Sequence, residues 1–359
     1  MSTMPEEPEP RRLLIVGPSW VGDMIMAQSL FIVLKRRFPT LTIDVLAPAW
    51  SAALLARMPE INQSIEMPLG HGSIGLMTRY RLGKTLLANQ YDWSILLPNS
   101  LKSALVPFFA GIKKRSGFVG EMRYGLLNDI HRLNKQSLSR TVQRFVALAF
   151  TDADFYQEQF TGIKNIPCPE LQIDKKGTQE LAVNKFSLLS KQQLNIPILS
   201  LCPGAEYGPA KQWPSRYYAK IAERFQEQYQ DAQIWLFGSE KDQSFCHQII
   251  SQSKATIKDL SGQTSLAEAI DLMSLSSAVI SNDSGLMHVA AAVKVPILGL
   301  YGSSDPNFTP PLSQRAEVIS LGLECSPCFK RQCPLGHLKC LEDMHPELVW
   351  EKLQALLKQ

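Results

Sequence analysis

Residues 278–301 read AVISNDSGLMHVAAAVKVPILGLY. Ala278 to Asn282 is a short run of strand length, residues 285–293 have helical period, and Val295 to Tyr301 restarts a strand. Two apolar strands joined by one helix form a βαβ unit, and strands this apolar are covered on both faces of a parallel sheet. Working outward, the same rhythm recurs with strands at Ile198–Pro203 and Ile234–Gly238 and helices near 214–229, 240–252 and 265–276. A separate series precedes it: strands at Leu13–Gly17, Leu41–Ala47 and Trp93–Pro98, with a helix from about Asp23 to Arg37. Two such series predict an α/β chain of two doubly wound domains. The length of 359 residues, at roughly 150 per domain, agrees.

The weakly patterned stretch 151–196, with Pro167, Pro169 and Gly177, is the best linker region. The expected layout is a frayed tail over 1–11, a first domain over 12–165, a second over 166–344, and a closing helix over 345–359. In that helix Val349, Leu353, Leu356 and Leu357 share one face. No run of 18 apolar residues predicts a membrane span. The acidic, Pro-rich start is unlike a secretory leader, which points to the cytosol.

In open parallel sheets ligands bind beyond the carboxyl ends of the strands. Two facing domains would line one cleft with those loops. Gly17-Pro18-Ser19-Trp20-Val21-Gly22-Asp23 follows the first strand and matches neither a P-loop nor a dinucleotide fingerprint. Its Asp23 reads either as a helix cap or as a general base aimed into the cleft. Asn282-Asp283-Ser284-Gly285 opens a helix, and its free N–H groups and dipole suit a phosphate; His288 lies one turn in. An ordinary strand-to-helix turn reads the same way. The loop Pro203 to Pro214 carries Lys211, a charge that could neutralise a leaving phosphate. Glu240 and Asp242, after another strand, suit a ribose.

Seven cysteines in a reducing compartment are thiols or metal ligands sooner than disulfides. Four of them, Cys325-x2-Cys328-x4-Cys333-x6-Cys340, have spacing that allows a structural zinc. A net charge of +4 is too small for a chain that coats nucleic acid. It hides an asymmetry: residues 101–150 hold nine Lys/Arg against two acids, a net of +7, which leaves −3 elsewhere. That stretch is a solvated surface or a binding face.

Several long strings then resemble the ADP-heptose–lipopolysaccharide heptosyltransferases, glycosyltransferase family 9, over nearly the whole chain. They are GPSWVGDMIMAQSL at 17–30, MPLGHG at 67–72, LPNSLKSALVPFFAGI at 97–112 and GEMRYGLLND at 120–129. CPGAEYGPAKQWP at 202–214, NDSGLMHVAAA at 282–292 and YGSSDPNFTPPLS at 301–313 complete the set. The strings at 97–112 and 120–129 resemble the branch that extends a heptose already in place. The cysteine segment resembles one found in many members but not all, which implies an accessory role.

The resemblance implies a GT-B fold of two Rossmann-like domains, with the acceptor held mainly by the first and ADP-heptose mainly by the second. It implies an inverting transfer to a heptosyl-Kdo2-lipid A type acceptor, with no cofactor for catalysis, by an enzyme peripheral to the inner face of the inner membrane. Asp23 matches the family's general base and Lys211 the lysine on the donor diphosphate. Asp283, Ser284, Gly285 and His288 match the donor loop. Asp242 matches an acidic ribose contact, with Glu240 close enough to leave the choice open, and Thr264 lies near the adenine. The acceptor-side candidates are Ser19, Trp20, Lys102, Lys113, Lys114, Arg115 and Arg123. Heptosyltransferase I or another GT-B sugar transferase is the near alternative. A zinc-containing nucleic-acid-binding module is a remote one, and it leaves the donor loop and the SWVGD turn without a role.

Overall fold

The structure, a computed structural model, describes residues 9–70, 72–150, 165–190, 193 and 196–358. The first eight residues of the expected tail, and residues 151–164, 191, 192, 194 and 195 of the expected linker, lie outside that set. The chain divides into two compact units, Met1–Pro167 and Cys168–Gln359.

The first unit is built on β1 (Arg12–Val16), β2 (Thr42–Ala47), β3 (Ile61–Glu66), β4 (Trp93–Leu96), β5 (Lys114–Phe118) and β6 (Asp129–His131). They form one parallel sheet in the order β3-β2-β1-β4-β5-β6. The longer helices are α1 (Val21–Arg37), α2 (Leu76–Leu86) and α3 (Thr141–Ala147). Leu13, Leu14 and Ile15 are fully buried because helices cover both faces of the central strand. Helix α1 has buried residues around most of its girth, Met24, Ile25, Leu30, Phe31 and Leu34 among them, as a helix between sheet and α3 must.

The second unit repeats the plan with β7 (Ile198–Cys202), β8 (Gln233–Leu236), β9 (Ile257–Asp259), β10 (Ala278–Asn282), β11 (Ile297–Tyr301) and β12 (Ala316–Ser320). Their order is β12-β11-β10-β7-β8-β9, again parallel. Read from its own first strand this is the same winding order, 3-2-1-4-5-6, in both units, the order of a dinucleotide-binding sheet. Its longer helices are α4 (Ser215–Gln228), α5 (Gln243–Gln252), α6 (Leu266–Met273), α7 (Gly285–Ala292) and α8 (Pro346–Leu357). Helix α4 buries Tyr218, Ile221, Ala222 and Phe225 and turns Lys220 and Arg224 outward to Glu347 of α8, at 3.8 and 3.0 Å. The closing helix is thus held by Val349, Leu353 and Leu356 within the second unit's core.

The central strands and long helices fall where the apolar runs put them. Strands β3, β5, β6, β9 and β12 and helices α2 and α3 are not among the sequence expectations; α3 is short and largely buried. The strands and α2 fall outside for another reason. They are polar and partly exposed; β3, INQSIE, has no fully covered residue. Among the described residues, no helix is long and apolar enough to cross a membrane.

Candidate functional site

The winding direction reverses between β1 and β4 in the first sheet and between β7 and β10 in the second. Loops leaving the carboxyl ends of those neighbours diverge to opposite faces and open a crevice. Each unit furnishes its crevice differently.

In the first unit the loops after β1, β2, β3 and β4 enclose a cavity of about 230 Å³. A single water needs roughly 10–15 Å³, so this is space for a sugar-sized group. Ser19 and Lys102, two of the expected acceptor residues, line it. Trp20, half exposed, is the N-cap of α1; its carbonyl accepts from the Met24 N–H at 2.9 Å. Asp23 is therefore not the cap. It stands, partly buried, in the first turn of a helix that begins at the carboxyl end of β1, where the positive end of the dipole favours a carboxylate.

The other basic candidates do not join them. Lys114 opens β5 and Lys113 precedes it, so both stand at the amino edge of the sheet. A five-residue strand spans roughly 16 Å, and the cavity is at the other edge. Lys114 is also 3.7 Å from the Asp129 carboxylate and sits over the Trp93 ring at 5.0 Å. Arg115 gives its guanidinium to the carbonyls of Leu126 and Ile112, both at 2.5 Å. Arg123 is only 1% exposed and donates to the carbonyls of Pro98 at 2.7 Å, Phe118 at 2.7 Å and Ser100 at 3.3 Å, and to Ser103 Oγ at 2.9 Å. It is a buried brace for the loop that carries Lys102. Lys113, Lys114, Arg115 and Arg123 thus do not line this cavity: a sequence count of charge does not distinguish an arginine spent on carbonyls from one facing a ligand.

Sequence reasoning missed Arg79, on α2. It lines the same cavity, is 5% exposed, and donates to the Ile74 carbonyl at 2.7 Å and to the Met67 sulfur at 3.7 Å. Burial pulls its pKa below the ordinary value, yet a guanidinium stays charged in a protein. Neighbouring Arg81 and Lys84 give the same sequence signal, so nothing in the sequence singles it out.

In the second unit Asn282, wholly buried at the end of β10, is the hub. Its side chain donates to the Pro203 carbonyl at 2.6 Å and accepts from Trp213 N–H at 3.2 Å and Tyr218 O–H at 2.9 Å. The bonds to Pro203 and Trp213 pin the 203–213 loop over the end of β10, and the bond from Tyr218 ties in α4. The loop returns Lys211 to the crevice, where its ammonium donates to Asp283 Oδ2 and lies 5.0 Å over the Tyr207 ring. Both partners are mostly buried. Gly208 permits the turn: its φ is +150°, and a Cβ there would come within 2.5 Å of the Arg331 carbonyl oxygen.

Ser284 is the N-cap of α7 with an extended backbone, and its side chain makes no cap hydrogen bond. The first N–H groups of α7 are therefore available to an anion. His288 is buried one turn in; burial lowers its pKa to about 4, the Lys211 charge pushes the same way, and Asp283 opposes. At neutral pH it is an uncharged imidazole.

The two acidic ribose candidates separate. Asp242 Oδ2 accepts from Ser239 N–H at 2.8 Å and Ser239 O–H at 2.7 Å, closing the turn that opens α5. Glu240 is exposed just beyond β8, and its carboxylate has no hydrogen bond or ion pair among the described residues. The geometry therefore moves the open choice toward Glu240. Thr264 is partly buried after β9, next to the α6 cap Ser265.

Cys325, Cys328, Cys333 and Cys340 line one small cavity of about 20 Å³ with His337 and Ala210. Among the described residues, however, no three His, Cys, Asp or Glu side chains are arranged to hold a metal ion. Backbone N–H groups of residues 335–338 turn toward the Cys333 sulfur and lower its pKa, while burial and the other three thiols raise Cys340 to about 11. The segment braces the 203–213 loop: Ala210 N–H donates to the Arg331 carbonyl at 3.1 Å and Tyr207 O–H to the Phe329 carbonyl at 2.7 Å.

Residues 79–339 match the family model for glycosyltransferase family 9 (heptosyltransferase). The chain is 45% identical to lipopolysaccharide heptosyltransferase 2 of Escherichia coli K12 over 352 residues, covering 97% of this chain and 99% of that one. It is 46% identical to lipooligosaccharide heptosyltransferase 2 of Haemophilus influenzae over 352 residues, covering 96% and 99%. The solved structure of E. coli ADP-heptose lipopolysaccharide heptosyltransferase II superposes with a TM-score of 0.81 at 42% identity, covering 97% of this chain and 99% of that one. Two parallel six-stranded sheets with furnished switch points, and similarity along the full length, place the chain in glycosyltransferase family 9, the heptosyltransferases.

Proposed function

We propose that the chain moves heptose from ADP-heptose to the first heptose of the lipopolysaccharide inner core. The observation that carries the substrate choice is the 45% identity with heptosyltransferase 2 of E. coli, which runs through both units. The crevice geometry supports the roles. In the second unit Lys211 and the N–H groups opening α7 at Ser284 and Gly285 meet the donor diphosphate, and neutral His288 adds a hydrogen-bonding group without a charge. Asp283 holds Lys211 in place until the diphosphate takes it over. Glu240 holds the ribose hydroxyls, and Thr264 lies toward the adenine.

The acceptor hydroxyl oxygen forms the new bond to the anomeric carbon while the bond from that carbon to the diphosphate oxygen breaks. Asp23 takes the hydroxyl proton, ADP leaves with the electron pair, and the anomeric configuration inverts. Negative charge grows on the diphosphate as the bond breaks, which is where Lys211 and the helix opening act. This chemistry asks for no cofactor.

General-base catalysis contributes about 10²–10⁴-fold, so Asp23→Ala is expected to lose transfer by that order while binding ADP-heptose as the wild type does. Turnover near wild type in that variant contradicts the base assignment.

The acceptor is anchored in a lipid surface, and α2 offers a place to meet one. Ile74, Leu76, Met77 and Tyr80 are exposed around the start of the helix whose Arg79 lines the acceptor cavity, with Arg81 and Lys84 beside them. Apolar side chains and basic residues together favour an anionic bilayer surface. The enzyme then works at the inner face of the inner membrane. Co-sedimentation with vesicles containing anionic lipid is expected to fall in Met77→Glu/Tyr80→Glu, and unchanged sedimentation contradicts this contact.

A further inference from the structure

We propose that Arg331, a residue of the cysteine segment, is a second cation for the donor diphosphate, reaching it from beside the Tyr207 ring. This rests on the reading of the second unit's crevice as the donor site. It gives the segment a substrate contact in addition to its bracing role.

The segment is tied to the carboxyl edge of its sheet on two sides. Phe329 N–H donates to the Ser303 carbonyl at 2.7 Å and Ser326 O–H to the Gly302 carbonyl, both just after β11. From the loop after β7, Ala210 N–H and Tyr207 O–H donate to the carbonyls of Arg331 and Phe329. Strands β11 and β7 flank β10, and Asp283 follows the end of β10. Residues 326–331 are therefore fixed to the loops on both sides of the strand that leads into α7.

Those bonds use the backbone of Arg331. Its side chain is exposed, and the guanidinium has no hydrogen bond or ion pair among the described residues. It lies 5.4 Å from the centre of the Tyr207 ring, and the Lys211 ammonium lies 5.0 Å from the same centre. The two charges are no further apart than those distances laid end to end, a gap that a diphosphate hydrogen-bonded at both ends can bridge.

Charge gives the second cation its purpose. Lys211 is matched by Asp283, so the pair adds no net charge, and His288 is neutral. A diphosphate arrives negative and gains charge as its bond to the anomeric carbon breaks. The arginine fork fits two phosphate oxygens. An exposed cation–π contact is weak beside a charge-assisted hydrogen bond, so Tyr207 keeps the guanidinium near without neutralising it.

The test is isothermal titration of the full chain with ADP, AMP and adenosine, together with donor and acceptor kinetics. Arg331→Gln is expected to weaken ADP by about 10- to 100-fold, the worth of one charge-assisted hydrogen bond, and to leave adenosine within about twofold. The kcat/KM for ADP-heptose should fall by a similar factor while the acceptor KM stays unchanged. A loss shared by AMP puts the fork on the first phosphate, and a loss confined to ADP puts it on the second; both support the assignment. Arg331→Lys, which keeps the charge without the fork, should recover part of the ADP affinity.

Equal weakening of ADP and adenosine, or no weakening of ADP, overturns the assignment. Should Arg331→Gln melt far below the wild type, Arg331→Met, which keeps an apolar chain beside Tyr207 and drops the charge, makes the same comparison. A wild-type chain that binds neither ADP nor ADP-heptose overturns the donor reading of the crevice, and the assignment with it. That result differs from a wild type that binds ADP and a variant that binds it as tightly.

Discussion

The crevice between β1 and β4 and the crevice between β7 and β10 occupy the same place in two sheets of identical winding order, yet their charges are arranged in opposite ways. In the first, Arg79 and Lys102 face a cavity with no carboxylate paired to either among the described residues. In the second, Lys211 is already paired with Asp283, and buried His288 is kept neutral beside them. The cavity cations of the first crevice have no carboxylate paired to them among the described residues; the lysine of the second is balanced before any ligand arrives. Topology therefore fixes where a ligand binds, and the side chains at the strand ends fix its charge. A cavity with spare cations suits an acidic acceptor. A pre-paired lysine at a helix opening suits a diphosphate that has to be held during bond breaking and then released.

The comparison can be broken most severely at Lys211. Removing one preorganised group that stabilises a developing charge lowers kcat by about 10²–10³-fold, so Lys211→Ala should show that loss with acceptor KM little changed. A tenfold rise in acceptor KM with kcat intact would erase the distinction between the crevices.

Arg123 sharpens it from the other side. If it is a brace, Arg123→Gln strands buried carbonyls and costs about 1–3 kcal/mol, read as a lower urea midpoint, while folded enzyme keeps its acceptor KM. A variant of normal stability with weakened acceptor use would return Arg123 to the acceptor site.

His288 gives the smallest effect and the cleanest sign. Its folded pKa, about 4, lies below the ordinary 6.5, so the unfolded chain binds the proton more readily between those values. Stability from this residue is complete above about pH 6.5 and declines as pH falls toward 4. An imidazole NMR titration should show no charging above pH 5; a midpoint near 6.5 would mean that the residue is not buried against Lys211.

What could be read in advance follows the burial pattern. Strands β1, β7, β10 and β11 are covered on both faces, so their sequences are continuous apolar runs. Edge strands such as β9, IKD, and β12, AEVIS, are partly exposed, and three to five mixed residues carry no period to detect. The donor loop was legible because Asp283, Ser284, Gly285 and His288 are neighbours in the chain. The first unit's crevice was legible only in part: Ser19 and Lys102 came through the resemblance, but Arg79 lies on a separate helix that only folding brings to the same cavity. Charge counting locates little for a related reason: of the nine basic residues in 101–150, Arg123 is a buried brace, Lys113, Lys114 and Arg115 stand at a strand's far end, and Lys102 lines the cavity. Asp242 makes a bond that sequence does not display, the turn it closes with Ser239.

The most direct measurement is ADP release by the purified chain given ADP-heptose and core acceptors carrying zero or one heptose. Release with the one-heptose acceptor, and little with the other, is the expected result. No release with either, or release only with the heptose-free core, would contradict transfer onto an existing heptose.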